Sequence, residues 1–147
     1  MAVDVRTEIE IECPREYVST YAADPDRAMS WYKNIKSVGW ESPRPLALGS
    51  QVAFVAHLLG RRLSYTYRVT QFVPGERFVM HTSEGPFPME TTYTWEDTPT
   101  GGTRMVLRNR GEPSGFSKVV APLMAGAMRM ANKSDLRRLK AILEAER

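Results

Sequence analysis

The middle of the chain, from about residue 52 to residue 109, alternates apolar and polar residues, and this pattern most constrains the fold. Alternation with a period of two predicts strands that bury only one face. Turn signals divide the run: two-residue turns are expected at Gly60-Arg61, Pro74-Gly75 and Glu84-Gly85, and a three-residue loop at 99–101. Directly paired residues of a hairpin share a face. These turns therefore place the apolar residues of consecutive strands on one side of one antiparallel sheet.

The turn positions also predict which residues lie opposite each other. Gln71 is the exception to the pattern, because parity directs it inward while Phe72 points outward, so a β-bulge is expected there. The expected pairs are Leu58–Leu63, Ala56–Tyr65, Phe54–Tyr67 and Val52–Val69 in the first hairpin, Val69–Met80 in the second, Thr82–Phe87, Met80–Met89 and Phe78–Thr91 in the third, and Trp95–Met105 and Tyr93–Leu107 in the last.

The segments before this run predict one strand, two short helices and a further strand. Residues 3–12 alternate strictly and stop at Pro14, which predicts a strand with one solvated face. Residues 15–33 have helical spacing but contain Asp24-Pro25, where the first helix should end and a second should begin with Asp24 as its N-cap. Residues 35–41 form a candidate strand.

The C-terminal segment predicts one long helix, from about Ser117 to Ala145. A sheet with one apolar face needs a cover, and this helix is the element available to supply it. Its apolar residues form two stripes, the second rotated from the first on a helical wheel, so the helix either bends or faces two neighbours. The stripes are Val120, Met124, Ala127, Met128 and Ala131, and then Leu136, Leu139, Ile142 and Leu143.

Three motifs and their order carry a resemblance to a known family. They are residues 14–18 followed by Ala23-Asp24-Pro25 and Trp31, the Leu48-Gly49 step before the long meander, and a helix ending with Asp135-Leu136, Leu139-Lys140 and Leu143-Glu144. The chain resembles the START/Bet v 1-like (SRPBCC) superfamily, and more closely the polyketide cyclase/dehydrase and lipid-transport-like family. The resemblance implies a single domain over 1–147 with the α+β helix-grip fold. In that fold a curved antiparallel sheet of about six to seven strands wraps around a long C-terminal helix, and two short helices follow the first strand.

Hydroxyl groups among the inward aromatic residues point to a cavity rather than a dry core. A buried hydroxyl needs a hydrogen-bond partner, and Tyr65, Tyr67, Tyr93, Thr82 and Thr91 all share the inward face. Small and flexible residues on the facing helix leave room there. We therefore expect the chain to bind a hydrophobic small molecule, such as a lipid, polyketide or aromatic metabolite. The candidate ligand-binding residues are Trp31, Phe54, Tyr65, Tyr67, Met80, Thr82, Met89, Thr91, Tyr93, Trp95, Leu107, Asn109, Met124, Ala127 and Met128.

Three alternatives remain open at this stage. The first is a close-packed core, in which each inward residue of the sheet serves packing alone. A cyclase- or dehydratase-type enzyme would polarise a carbonyl with Tyr65, Tyr67, Tyr93 or Asn109, but the inward face of the strands offers no base. Asn132 and Asp135, near the edge of the apolar face of the helix, are further candidates for that chemistry, with a solvated flank of the helix as their expected setting. The third alternative is an interaction module that uses a basic helix face formed by Arg129, Lys133, Arg137, Arg138 and Lys140.

Composition narrows the remaining function classes. The single cysteine, Cys13, rules out an internal disulfide, and both histidines fall on the outer face of the sheet, so neither a metal nor a cofactor is expected. No catalytic triad or nucleotide-binding motif is present, and the resemblance carries over no catalytic residue. The net charge of +3 is only mildly basic, and no exposed aromatic residues are interleaved with the basic ones, so no nucleic-acid partner is expected. The lack of an apolar run of about 18 residues predicts no membrane span. A cytoplasmic monomer or homodimer is the default expectation.

Overall fold

The computed structural model describes residues 3–58, 60–112 and 120–146. A strand opens the chain, two short helices follow, six further strands come next, and a long helix closes it. The strands are β1 (Val3–Ile11), β2 (Ile35–Trp40), β3 (Gln51–Leu58), β4 (Arg61–Val73), β5 (Arg77–Glu84), β6 (Met89–Asp97) and β7 (Thr103–Gly111). The helices are α1 (Arg15–Ala23), α2 (Ala28–Trp31) and α3 (Val120–Ala145), with a 3₁₀ turn at Pro25–Arg27.

The seven strands form one antiparallel sheet in the order β1-β7-β6-β5-β4-β3-β2. The sheet curls around α3, which confirms the predicted α+β helix-grip architecture. Val3, Val5, Thr7 and Ile11 of β1 are buried and Ile9 is partly buried, while the polar residues that alternate with them are exposed, as the pattern predicts. Residues 117–119, where the predicted helix begins, lie outside the described part of the chain.

The predicted register is confirmed in two hairpins. Trp95 lies opposite Met105 across the last loop, and Val69 lies opposite Met80 in the second hairpin. The register then shifts between Val69 and Gln71, which is the bulge that parity predicts. After the bulge Phe72 is half-buried against the core while Gln71 is exposed.

The predicted register of the other two hairpins is wrong by two residues. Phe54 lies opposite Tyr65, not Tyr67, because Leu58 pairs with Arg61 and Gly60, which precedes Arg61, has a positive φ of 74°. Phe78 lies opposite Tyr93, not Thr91, because the strands stop at Glu84 and restart at Met89. The loop between them contains Pro86 and Pro88, which have no N–H to donate to a ladder. A shift of two preserves the face of every side chain, so the predicted inward set survives the error.

The break between the short helices is built as predicted. The Asp24 side chain accepts a hydrogen bond from the Asp26 backbone N at 2.9 Å, and Pro25 opens the 3₁₀ turn. The next turn of helix places Trp31 in the core with no exposed surface. This segment therefore covers one end of the sheet and packs against α3.

The C-terminal half of α3 fills the core. Leu136, Leu139 and Leu143 are at most 1% exposed and belong to the same cluster as Trp31 and Trp95. Burying one leucine side chain contributes about 1.5–3 kcal/mol. This half of the helix therefore holds the sheet closed, and its N-terminal half is left to line a different space.

Candidate ligand-binding cavity

A cavity lies between the sheet and the N-terminal half of α3. Its volume is about 160 Å³, counted as the space that the centre of a water molecule can occupy. One water needs about 10–15 Å³ by the same measure. Because this space far exceeds the gaps of a close-packed core, the dry-core alternative does not describe this end of the molecule.

The walls of the cavity are mostly apolar. Phe54 and Phe78 supply rings from β3 and β5, and Phe87 supplies one from the loop between β5 and β6. Met80 and Met89 line the sheet side, and Met128 and Ala131 face them from α3. The residues that complete the lining are Ala22, Ala23, Asp24, Pro25, Ala28, Tyr32, Asn34, Ile35, Ala56, His57, Leu58, Leu63, Tyr65, Tyr67, Thr91, Tyr93, Asn109, Asn132 and Asp135.

The structure brings nine of the fifteen candidate residues to this cavity. They are Phe54, Tyr65, Tyr67, Met80, Met89, Thr91, Tyr93, Asn109 and Met128.

The other six candidates lie elsewhere. Trp31, Trp95 and Leu107 pack in the core beneath the second half of α3, and Met124 packs in a separate apolar cluster with residues of β1. Thr82 uses its hydroxyl to accept a hydrogen bond from the Met89 backbone N at 2.9 Å, and Ala127 is half-buried on α3. These residues share the predicted inward face. The inward face is longer than the cavity, and leucines of α3 fill the remainder.

Side chains with hydroxyl or amide groups form a polar cluster within the lining. The Tyr32 and Tyr93 hydroxyls are hydrogen-bonded at 2.5 Å. The Thr91 hydroxyl donates to Asn109 Oδ1 at 2.7 Å and lies 3.5 Å from the Tyr67 hydroxyl. These contacts join residues of β4, β6, β7 and the end of α2, so only the folded sheet assembles them.

Burial keeps the phenols of this cluster protonated. It raises the pKa of Tyr32, Tyr67 and Tyr93 above the usual range, because a phenolate would lose its hydration inside the cavity. Burial also raises the pKa of Tyr65, for the same reason. At neutral pH these four groups are hydrogen-bond donors, not anions.

Asp135 and Asn132 are buried, so the expectation that they lie on a solvated flank of α3 is wrong. They are 2% and 6% exposed, and both line the cavity. The pattern that identifies them is a single stripe in steps of three and four along α3, running Met124, Met128, Asn132, Asp135, Leu139 and Leu143. We expected two rotated stripes because polar residues were left out of the apolar count at the point where the stripes join.

Asp135 is held from two sides. Its Oδ1 accepts a hydrogen bond from the Lys33 backbone N at 3.1 Å and lies 3.9 Å from Nη1 of Arg138. Burial raises the pKa of Asp135 to about 6, although the Lys33 N–H and the positive charges of Arg138 and Lys33 act in the opposite direction. The carboxyl is therefore ionised at neutral pH and is an acceptor beside the tyrosines.

Two predictions concern surface residues. His57 is exposed, as its assignment to the outer face predicts, and it also contributes to the lining of the cavity. The basic stripe on α3 is smaller than expected, because Arg138 donates to the Trp31 carbonyl and Lys140 binds the Glu10 carbonyl and Glu144. Arg129, Lys133 and Arg137 remain exposed.

The described ranges hold neither a candidate metal site nor a membrane-spanning helix. Among residues 3–58, 60–112 and 120–146, no group of three or more His, Cys, Asp or Glu side chains is arranged to hold a metal ion. Over the same ranges, no helix has the length and hydropathy needed to cross a bilayer.

Comparison with protein-family models identifies the chain. Residues 2–144 match the model described as "Polyketide cyclase / dehydrase and lipid transport". The chain belongs to this family. The membership confirms the resemblance carried by the Asp24-Pro25 break, the meander and the helix ending. A search of curated proteins found no match.

Solved structures share the fold of this polyketide cyclase/dehydrase family member. TTHA0849 from Thermus thermophilus superposes with a TM-score of 0.83 at 22% identity, over 97% of this chain and 98% of that one. A START superfamily protein from Mycobacterium smegmatis gives a TM-score of 0.80 at 12% identity, covering 98% and 99%. The Zhui aromatase/cyclase from Streptomyces sp. R1128 gives 0.80 at 15% identity, covering 96% and 93%. At these identities the likeness establishes the helix-grip fold.

Proposed function

We propose that this protein binds a hydrophobic small molecule in the cavity between its sheet and α3. One observation carries the proposal: an apolar space of about 160 Å³ that contains a few fixed polar groups. Apolar walls disfavour filling by water alone, and a few convergent polar groups are typical of a small-molecule site. The nine candidate residues that line the space are the proposed contacts.

The test is to fill the cavity from the helix side. Ala131→Phe places a ring in the space that Ala131 lines, whereas Ala141→Phe adds the same ring at an exposed position of the same helix. We expect Ala131→Phe to abolish binding of the neutral apolar dye Nile red, followed by its fluorescence, and Ala141→Phe to bind as the unmodified protein does. Circular dichroism checks that both variants fold.

Equal dye binding by the two variants would contradict the proposal, because the dye would then occupy another surface. Native mass spectrometry of the protein from mild purification gives an independent readout. A co-purifying small molecule lost in Ala131→Phe, and retained in Ala141→Phe, supports the assignment to this cavity.

Asp135 supports a second candidate, a cyclase- or dehydratase-type reaction. The strands lack an inward base, but the helix supplies a buried carboxylate that lines the same cavity as the Tyr32–Tyr93 pair. A carboxyl with a pKa of about 6 is suited to accept a proton near neutral pH. Among the structural relatives, the Zhui protein is described as an aromatase/cyclase, which makes this chemistry worth testing.

The enzyme candidate predicts a separation of binding from turnover. With a β-polyketone substrate mimic, Asp135→Asn should lower kcat strongly and leave KM within a few-fold, because the amide keeps the size and the Lys33 hydrogen bond but accepts no proton. No turnover by the unmodified protein over a panel of such mimics, alongside tight Nile red binding, would leave the binding function and remove the catalytic one.

A further inference from the structure

The charges around the cavity restrict what it can hold. The described lining residues include two carboxylates, Asp24 and Asp135, and neither lysine nor arginine. The guanidinium of Arg138 is engaged with the Trp31 carbonyl and approaches Asp135 at 3.9 Å without lining the cavity itself. A buried anionic headgroup near Asp135 would therefore face a carboxylate, and the described lining offers it no lysine or arginine. Such a placement costs several-fold more than burial of a neutral polar group.

Several hydrogen-bond donors of the polar cluster lack a short bond to another side chain. Tyr32 and Tyr93 carry two hydroxyl hydrogens but share one hydrogen bond, so the second hydrogen is available to another partner. Thr91 donates to Asn109 at 2.7 Å, so the Tyr67 hydroxyl has only a long contact of 3.5 Å with Thr91 Oγ1, which a ligand oxygen at shorter range could replace. Nδ2 of Asn132 has no partner in the described part of the chain. Buried donors of this kind are ordinarily satisfied.

We propose that the ligand is an electrically neutral molecule that presents a carbonyl-type acceptor oxygen to Tyr67 and Asn132. This inference rests on the proposed binding function and adds the chemical class of the ligand. The apolar lining takes the hydrocarbon part, the free hydroxyl and amide hydrogens take the oxygen, and Asp135 with the absence of cations from the described lining disfavours carboxylates and phosphates. Because burial raises the pKa of Tyr67 and Tyr93, these donors keep their hydrogens at neutral pH.

Four naphthalenes of similar size test the charge preference. Their competition with Nile red at pH 7.5 compares 2-acetylnaphthalene (a neutral ketone), 2-naphthoic acid (an anion), 2-(aminomethyl)naphthalene (a cation) and 2-isopropenylnaphthalene (which has no oxygen). We expect the ketone to bind at least tenfold more tightly than the acid, which would find no lysine or arginine in the described lining. We expect it also to bind more tightly than the amine, because Asp135 already accepts from the Lys33 N–H and lies near the charge of Arg138. Tighter binding of the acid or the amine overturns the inference and leaves the proposed binding function standing. Failure of all four and of the dye overturns the proposed function instead.

The donor role is tested by removing one hydroxyl. In Tyr67→Phe, Thr91 keeps its 2.7 Å bond to Asn109, so no polar group of the protein loses its principal partner. We expect affinity for 2-acetylnaphthalene to fall about tenfold and affinity for 2-isopropenylnaphthalene to stay within twofold. Each ligand is compared with itself in the two proteins. The loss for the ketone divided by the loss for 2-isopropenylnaphthalene is therefore independent of the difference in hydrophobicity between the ligands. Tyr17→Phe, at an exposed tyrosine outside the cavity, is the matched control and should change neither.

Asn132→Leu provides a second variant at a different element. It replaces the unpartnered amide with an apolar side chain of similar size, and the same selective loss for the ketone is expected. Equal losses for the two neutral ligands in both variants overturn the acceptor assignment, since the side chains would then contribute shape alone.

Discussion

Asp135 Oδ1 and the Lys33 backbone N are 3.1 Å apart, which joins positions 102 residues apart in the sequence. One turn further along α3, Arg138 Nη1 donates to the Trp31 carbonyl at 3.1 Å. The two hydrogen bonds fasten α3 to the last residue of α2 and to the segment that follows it, next to the polar cluster of the cavity. The first of these bonds uses the buried carboxyl of Asp135. Because burial disfavours the ionised carboxylate, it lowers the free energy of unfolding wherever the carboxyl is ionised.

Asp135→Asn should stabilise the fold at neutral pH. Below about pH 4 the carboxyl is protonated in the folded and the unfolded chain and contributes no difference. Between about pH 4 and pH 6 the folded chain holds the proton and the unfolded chain releases it, so stability falls as pH rises. Above pH 6 both are ionised and the full penalty, about 3 kcal/mol, applies.

The measurement is urea unfolding of both proteins from pH 4 to pH 8. The free energy of unfolding of Asp135→Asn minus that of the unmodified protein should rise through pH 4–6 and then level off. Glu16→Gln, at an exposed carboxylate of α1, is the control. A difference that stays constant with pH would show that ionisation of Asp135 is not the cause.

The Tyr32–Tyr93 hydrogen bond predicts non-additive mutations. Tyr32→Phe leaves the hydroxyl of Tyr93, a residue that is 4% exposed, without its partner, and should cost about 1–3 kcal/mol. The double Phe variant should cost less than the two single changes together, because no orphaned hydroxyl remains. Chemical unfolding of the four proteins measures this coupling.

The exposed Tyr21–Ser30 pair is the control for this double-mutant cycle. The Tyr21 hydroxyl is hydrogen-bonded to Ser30 at 2.8 Å in an exposed setting, where water replaces a lost partner. Tyr21→Phe should therefore change stability by less than about 0.5 kcal/mol. Additive losses at Tyr32 and Tyr93 would mean that cavity water satisfies each hydroxyl alone.

The two halves of α3 should respond differently to truncation. Leu139→Ala removes a side chain with no exposed surface from the core and should cost about 2–5 kcal/mol. Met128→Ala enlarges a cavity that already exists, so its stability cost should be about 1 kcal/mol while Nile red affinity changes severalfold. Met130→Ala, at a residue 75% exposed, should change neither property. Equal stability losses for Leu139→Ala and Met128→Ala would contradict the division of the helix.

Two glycines predict opposite outcomes on substitution by alanine. A Cβ at Gly126 of α3 meets no atom within 4 Å, so Gly126→Ala should stabilise the helix by about 0.5–1 kcal/mol. A Cβ at Gly102 would lie 2.7 Å from the Ile11 carbonyl oxygen, a backbone atom that cannot turn aside. Gly102→Ala should destabilise the fold. Thermal and urea unfolding of both variants test the pair.

Much of the sheet could be predicted from patterns along the chain, and the errors of that prediction have identifiable physical causes. Parity located the bulge near Gln71 and the face of each strand. It misplaced two registers, because turn length depends on how Gly60 and the prolines at 86 and 88 are accommodated. A shift of two residues leaves parity unchanged, so the pattern could not detect the error.

The site was predicted less completely than the sheet. Asp135 and Asn132 look like solvated positions when polar residues are read as outward-facing. They are buried because the stripe they continue passes between the apolar halves of α3. Tyr32 was missed because its partner, Tyr93, lies 61 residues away.

By itself, the sequence determined the elements, the inward face of the sheet and the family, because these depend on neighbours along the chain and on the order of motifs. Only the tertiary structure decided which part of that face is core and which lines a cavity. A cavity is the volume that packing leaves unfilled, and here it ends where Leu136, Leu139 and Leu143 begin to occupy the space against Trp31 and Trp95. The same packing buries Asp135 in the cavity lining that also contains Tyr32 and Tyr93, and this burial raises the pKa of its carboxyl. The sequence around Asp135 gives no sign of that environment.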